Sequence, residues 1–182
     1  MKNDVIKCKY KNKRFNILNG TNELESLIDS LPNDGECFKF ISQGDISSIC
    51  FIYFVSKHTK INSLYISSFR IGAKEAKALH TIHQRNNLDY VELMTASHFK
   101  LEKGYPIDAV TSIFEKNDWV LRCENNHSKV HLYDTDQGKF VIETSSNLNE
   151  NPNIEQFSFE KDDGLFDFYL KNIFKSDEDE CH

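Results

Sequence analysis

The chain has 182 residues, 39% of them hydrophobic and 12% aromatic, which excludes a disordered chain and suits one domain with a sizeable core. Its 22 basic and 28 acidic residues leave a formal net charge of −6, which argues against a protein that coats nucleic acid through its whole surface. The acidic run Asp177, Glu178, Asp179 and Glu180 carries much of that charge, so the body is closer to neutral and a local basic groove stays open to it.

The five cysteines Cys8, Cys37, Cys50, Cys123 and Cys181 are odd in number and include no Cys-x-x-Cys pair. They read as free thiols of a reducing compartment. The start of the chain shows no secretory leader, and no apolar run has the length of a membrane span, so a cytoplasmic protein with no membrane partner is expected.

In chain order, residues 5–10 alternate weakly and predict an edge strand. Around it Lys7, Lys9, Lys11, Lys13 and Arg14 form a basic strip with Tyr10 and Phe15 interleaved, a solvated face or a contact for a phosphate backbone. Leu24, Leu27, Ile28 and Leu31 predict a helix over 22–31, capped by Thr21 and ended by Pro32. Strands are expected at 37–41, at 49–55 and at 62–67, with a polar turn over 56–60. The second is nearly all apolar and reads as central and buried on both faces.

Residues 73–85 predict a helix with Ala76, Leu79 and Ile82 on one face, and 89–95 a strand. Residues 105–117 predict a second helix with Pro106 in its first turn and Ile107, Val110, Ile113 and Phe114 inward. Four strands follow at 119–123, 129–134, 139–144 and 154–159. A helix over 162–174 closes the domain on a stripe of Leu165, Phe166, Tyr169 and Ile173. The order implies an α/β (α+β mixed) fold, a mixed β-sheet flanked by helices. It divides into an N-terminal arm over 1–35, a main domain over 36–175 and a tail over 176–182.

The richest stretch is His127-Ser-Lys129-Val-His131-Leu-Tyr-Asp134. In an extended strand His127 and Lys129 share a face, with His131 behind them, while Val130 and Leu132 point into a core. An imidazole beside an ammonium suits chemistry on a phosphate, since one attacks phosphorus or moves a proton and the other holds phosphoryl oxygens. Ser145, Asn147 and Glu155 follow beyond a hairpin turn at 135–138.

The run His127-x-Lys129-x-x-x-x-Asp134, with Ser145-x-Asn147 and Glu155 after it, resembles the motif of the phospholipase D superfamily. The family's glycine before the serine is Thr144 here, the gap from Asp134 to Ser145 is longer, and one copy of the motif is present. His98-Phe-Lys100 also satisfies His-x-Lys, but nothing of the rest of the motif follows it.

The resemblance implies a phospholipase D-like domain and a metal-independent phosphodiesterase that works through a phosphohistidine on His127. Lys129 and Asn147 would bind the nonbridging oxygens, Glu155 would bond the second imidazole nitrogen, Ser145 would orient, and Asp134 would serve structure. One motif per chain implies a homodimer that shares one site, as in bacterial nucleases of the family, with nucleic acid as substrate. A membrane phospholipase fits less well, because no amphipathic membrane helix is visible.

His80 and His83 lie three apart on an expected helix, and Cys123, His127 and His131 are spaced by four, which would suit zinc on a helix but falls here in an expected strand. No metal or cofactor is therefore expected. Tyr10, Phe15, Tyr105 and Trp119 are candidates to line a cleft or fill the core. The alternative function is a catalytically silent binding or oligomerisation module.

Overall fold

A computed structural model describes residues 12–18, 24–44, 46–97, 107–149 and 152–175. The expected strand at 5–10, Thr21, the stretch 98–106 with His98, Lys100, Tyr105 and Pro106, and the acidic tail lie outside them, as do Cys8, Tyr10 and Cys181.

Eight strands form one mixed sheet: β1 Asn12–Leu18, β2 Glu36–Ser42, β3 Ile61–Ser67, β4 Leu88–Ala96, β5 Val120–Glu124, β6 Val130–Thr135, β7 Gly138–Thr144 and β8 Glu155–Lys161. Their order across the sheet is β1-β2-β8-β7-β6-β3-β4-β5. β1 pairs parallel to β2 at one edge, and β6, β7 and β8 are antiparallel to their neighbours. β6 and β7 meet in the turn foreseen at 135–138, where Gly138 takes φ of +116° that other residues resist.

Helices α1 Leu24–Leu27, α2 Ile49–His58, α3 Ala73–Gln84 and α4 Ile107–Lys116 cover one face. The core there joins Phe51 and Phe54 of α2 and Leu79 of α3 to Phe38, Phe40, Phe157 and Phe159 of the sheet. On the second face α5 Asp163–Tyr169, capped by the Asp162 carboxylate on the Leu165 amide, runs into a π-helical turn Leu170–Phe174. Phe166 and Phe174 close a smaller cluster over Met94, Val130, Leu132 and Val141. No described helix is long and apolar enough to cross a membrane.

Three local expectations are corrected. Residues 49–55, read as a central strand, form α2, which also takes in the expected turn at 56–58. Ile49, Cys50, Phe51, Ile52, Phe54 and Val55 are all buried, because α2 is wedged between the sheet and its sister helices. A helix apolar all round needs no polar face, and a short apolar run does not separate the two conformations. Of the helix foreseen at 22–31, Leu24–Leu27 alone is helical among the described residues, although Leu24, Ile28 and Leu31 are buried as its spacing demands. Pro32 disfavours helix for the residue before it and nothing extends the nucleus.

The third correction concerns His127 and Lys129. Both lie before β6, in an irregular segment. The Asn126 carboxamide oxygen accepts from the amide and hydroxyl of Ser128, and its amide donates to the Met94 carbonyl at 3.3 Å. This Asx turn postpones the strand to Val130. His131 therefore does not share a face with His127, and it is completely buried.

Candidate active site at the carboxyl ends of the parallel strands

β1 to β5 and β7 run in one direction, and β6 and β8 against them. One edge of the sheet thus gathers residues 67–70 after β3, 125–129 before β6, 144–149 after β7 and Glu155 at the start of β8. Carboxyl ends of parallel strands are where open α/β sheets bind ligands.

The segment 125–129 is fastened to β3 through Ser67, whose hydroxyl donates to the Ser128 carbonyl at 3.2 Å. This sets the His127 ring against Phe69, centroid to centroid 5.0 Å. The Lys129 ammonium lies 5.9 Å and the Arg70 guanidinium 5.4 Å from the centroid of the same ring. Lys129 also donates to the His127 carbonyl at 3.0 Å. One aromatic ring therefore collects an imidazole and two cations, an arrangement that favours an anion. Among the described residues the exposed His127 imidazole makes no hydrogen bond.

The neighbouring strands supply the acid. Glu155 is 6% exposed, and its carboxylate accepts the Ser145 hydroxyl while its amide donates to Ser42. Desolvation lowers the Lys129 ammonium below the usual lysine range, and the charge of Glu155 opposes that shift. Thr144 ties the turn: its hydroxyl donates to the Gln156 carbonyl at 2.8 Å and accepts from the Ser146 amide at 2.9 Å. Its own amide donates to the Lys129 carbonyl, which couples the two halves of the site.

The structure thus brings His127, Lys129, Ser145 and Glu155 to one edge. It does not join Glu155 to His127 by a hydrogen bond within the protomer; Glu155 meets Ser145 and the field of Lys129 instead. Asn147 is half-buried: its backbone carbonyl accepts from Ser48 at 3.1 Å, and its side-chain oxygen is buried with no hydrogen-bond partner among the described residues. Asp134 lies near the far end of β6, opposite Lys139 of β7, whose ammonium it helps to raise. Cys123, His127 and His131 do not form a metal-binding group among the described residues. Trp119 is core, and Phe15 is 74% exposed.

Phe69 and Arg70 were missed in the sequence. The available signal was position: Ser67-Ser-Phe69-Arg70 fills the loop between an expected strand and an expected helix, where such folds place functional residues.

No protein-family model and no curated protein matches the sequence. Among solved structures, the chain is similar to the polyphosphate kinase from Porphyromonas gingivalis. The likeness has a TM-score of 0.52 at 10% identity over 74% of this chain. The chain spans 24% of that kinase. The shared property is the fold.

Proposed function

We propose that this protein is a metal-independent phosphodiesterase, a nuclease that acts through a phosphohistidine on His127. The observation that carries this reading is the convergence of His127, Lys129 and Arg70 on the Phe69 ring at the carboxyl edge of the sheet. An unencumbered imidazole nitrogen is a nucleophile, and fixed cations stabilise the charge of a five-coordinate phosphorus.

In the first step the imidazole forms a P–N bond while the P–O bond to the leaving group breaks. The leaving oxygen takes a proton from a second acid. In the second step water attacks phosphorus, gives up a proton to that group, and the P–N bond breaks. Because each chain has one motif, a second copy related by a twofold axis supplies the second imidazole. Ser145 and Glu155 keep the cationic half of the site in place and charged. Arg70, beside Lys129 at the Phe69 ring, shares the binding of the nonbridging oxygens.

The test is incubation with a phosphodiester panel followed by an alkaline quench and mass spectrometry. A phosphoryl adduct on His127 supports the reading. An adduct on another histidine, or full turnover in His127→Ala, overturns it.

A second reading, a silent binding module, is favoured by one observation: the side-chain oxygen of Asn147 is buried. Light scattering that finds a dimer, with no turnover and no adduct on any substrate, selects it. A monomer with full turnover refutes the shared site.

A further inference from the structure

The two faces of the sheet are covered unequally. Beyond α5 and its π-helical turn, Phe15, Ile17 and Ile41 are 74%, 53% and 53% exposed. They border a groove of about 870 Å³ whose walls include Phe15, Lys39, Gln156, Tyr169 and, at the end nearest the active site, Lys129.

The strand register makes a straight row across this face. Phe15 pairs with Lys39, Lys39 with Ser158, Ser158 with Glu143, and Glu143 with Val130. Four strand spacings separate Phe15 from Val130, roughly 19 Å, a reach of a few nucleotides. The Lys39 ammonium is steadied midway by the Ser158 hydroxyl at 2.6 Å. Glu143 in the row accepts the Tyr169 hydroxyl, so its carboxylate is already engaged.

We propose that this row is a track for one strand of nucleic acid running from the active site, with a phosphate at Lys129, a second at Lys39 and a base stacked on Phe15. The inference rests on reading the site as a phosphodiesterase and names its substrate class. Two arguments choose this occupant. The groove shares Lys129 with the site, so whatever chain is cut there continues along the groove. Its fixed cations are spaced along a face that ends in an exposed aromatic ring, the combination that holds single strands. A duplex keeps its base faces stacked inside and offers the ring nothing to stack on.

The test uses His127→Ala, which binds without turnover, and fluorescence anisotropy with a labelled oligothymidine of about a dozen nucleotides. The single strand should bind more tightly than the same length of duplex. Adding Phe15→Ala should weaken it by about fivefold or more, and Phe15→Trp should preserve it. Lys39→Gln should lower the slope of log affinity against log salt by about 0.7. Lys77→Ala, on an exposed position of α3 across the sheet, should change nothing.

Equal binding of duplex, or Phe15→Ala and Lys39→Gln without effect, overturns the track. So does conversion of a dimer to a monomer by Phe15→Ala with oligonucleotide affinity retained, because the face is then a subunit interface. Hydrolysis of bis(4-nitrophenyl) phosphate by the wild type reads the site without the groove. If that ester is cleaved while the groove variants bind normally, the track falls and the phosphodiesterase stands. If no ester is cleaved and no adduct forms while Phe15 still governs binding, the track stands and the enzyme falls.

Discussion

His127 and His131 are four residues apart and occupy opposite surroundings. His127 lies exposed in the segment before β6, against Phe69, and its ring makes no hydrogen bond among the described residues. His131, one residue into β6, is completely buried between Ser48 and Tyr133, and burial pushes its imidazole from 6.5 down to about 3. The difference comes from where the strand begins. Asn126 holds its Asx turn, so the chain becomes regular only at Val130, and the next residue falls on the face that α2 covers. The same side chain is thereby exposed in one place and a neutral core group in the other.

The largest expected contrast is between the two alanine variants. His127→Ala should lower turnover by at least about a thousandfold, as losing a nucleophile does, while the melting temperature stays put. His131→Ala should cost about 2–4 kcal/mol in denaturant unfolding, since it opens a cavity and strands the hydroxyl of Tyr133. A stable His131→Ala variant, or an unfolded His127→Ala variant, breaks the comparison.

Lys129→Ala should cost about a hundredfold to a thousandfold in turnover, the scale of one lost charge-stabilising donor. Desolvation outweighs Glu155 at this ammonium, so its pKa is lowered and it loses its proton at a lower pH than an ordinary lysine. The alkaline limb of the activity profile should begin correspondingly early. Glu155→Gln removes the opposing charge and should move that limb further down. An upward move would mean that Glu155 does not act through Lys129.

Much of this organisation is visible in the sequence, and the exceptions have causes. α3 and α4 show their apolar stripes at helical spacing, and the β6–β7 hairpin shows its turn residues. α2 was hidden because burial on every side erases the period that distinguishes helix from strand. β1 was hidden because Phe15 and Ile17 face outward and nothing in 12–18 resembles a buried strand. The chain places Lys129, Ser145 and Glu155 in motif order, and the sheet brings them together through β6, β7 and β8. Phe69 and Arg70 join them from β3, more than fifty residues away, a proximity that only the strand order creates. The backbone of Asn147 is held by Ser48, at the start of a helix that the sequence does not reveal.

His131 also makes stability depend on pH. Its folded pKa is depressed, so the unfolded chain binds the proton first as pH falls below 6.5. Its contribution is complete above that value and is lost progressively toward about 3. At about pH 5 the loss should be about 2 kcal/mol. His131→Gln, which cannot titrate, should show a correspondingly flatter stability profile between neutrality and pH 5. Identical profiles would mean that the ring is protonated in the folded state.

The smallest effect tests how the buried ring is held. Ser48 has one hydroxyl proton, and it goes to the Asn147 carbonyl at 3.1 Å. Its oxygen must then accept from His131, so the imidazole carries its proton on Nε2, 3.3 Å away. That leaves Nδ1 as an acceptor for the Tyr133 hydroxyl at 3.2 Å. The donors therefore run in one direction, from Tyr133 through His131 and Ser48 to the turn beside Ser145. Tyr133→Phe removes one neutral hydrogen bond without a cavity and should cost about 1 kcal/mol. Nitrogen-15 spectra should show the Nε2–H tautomer in the wild type and in Tyr133→Phe alike. An Nδ1–H signal would reverse the chain, with Tyr133 as acceptor, and Ser48 would then be donating to the ring instead of holding the Asn147 carbonyl.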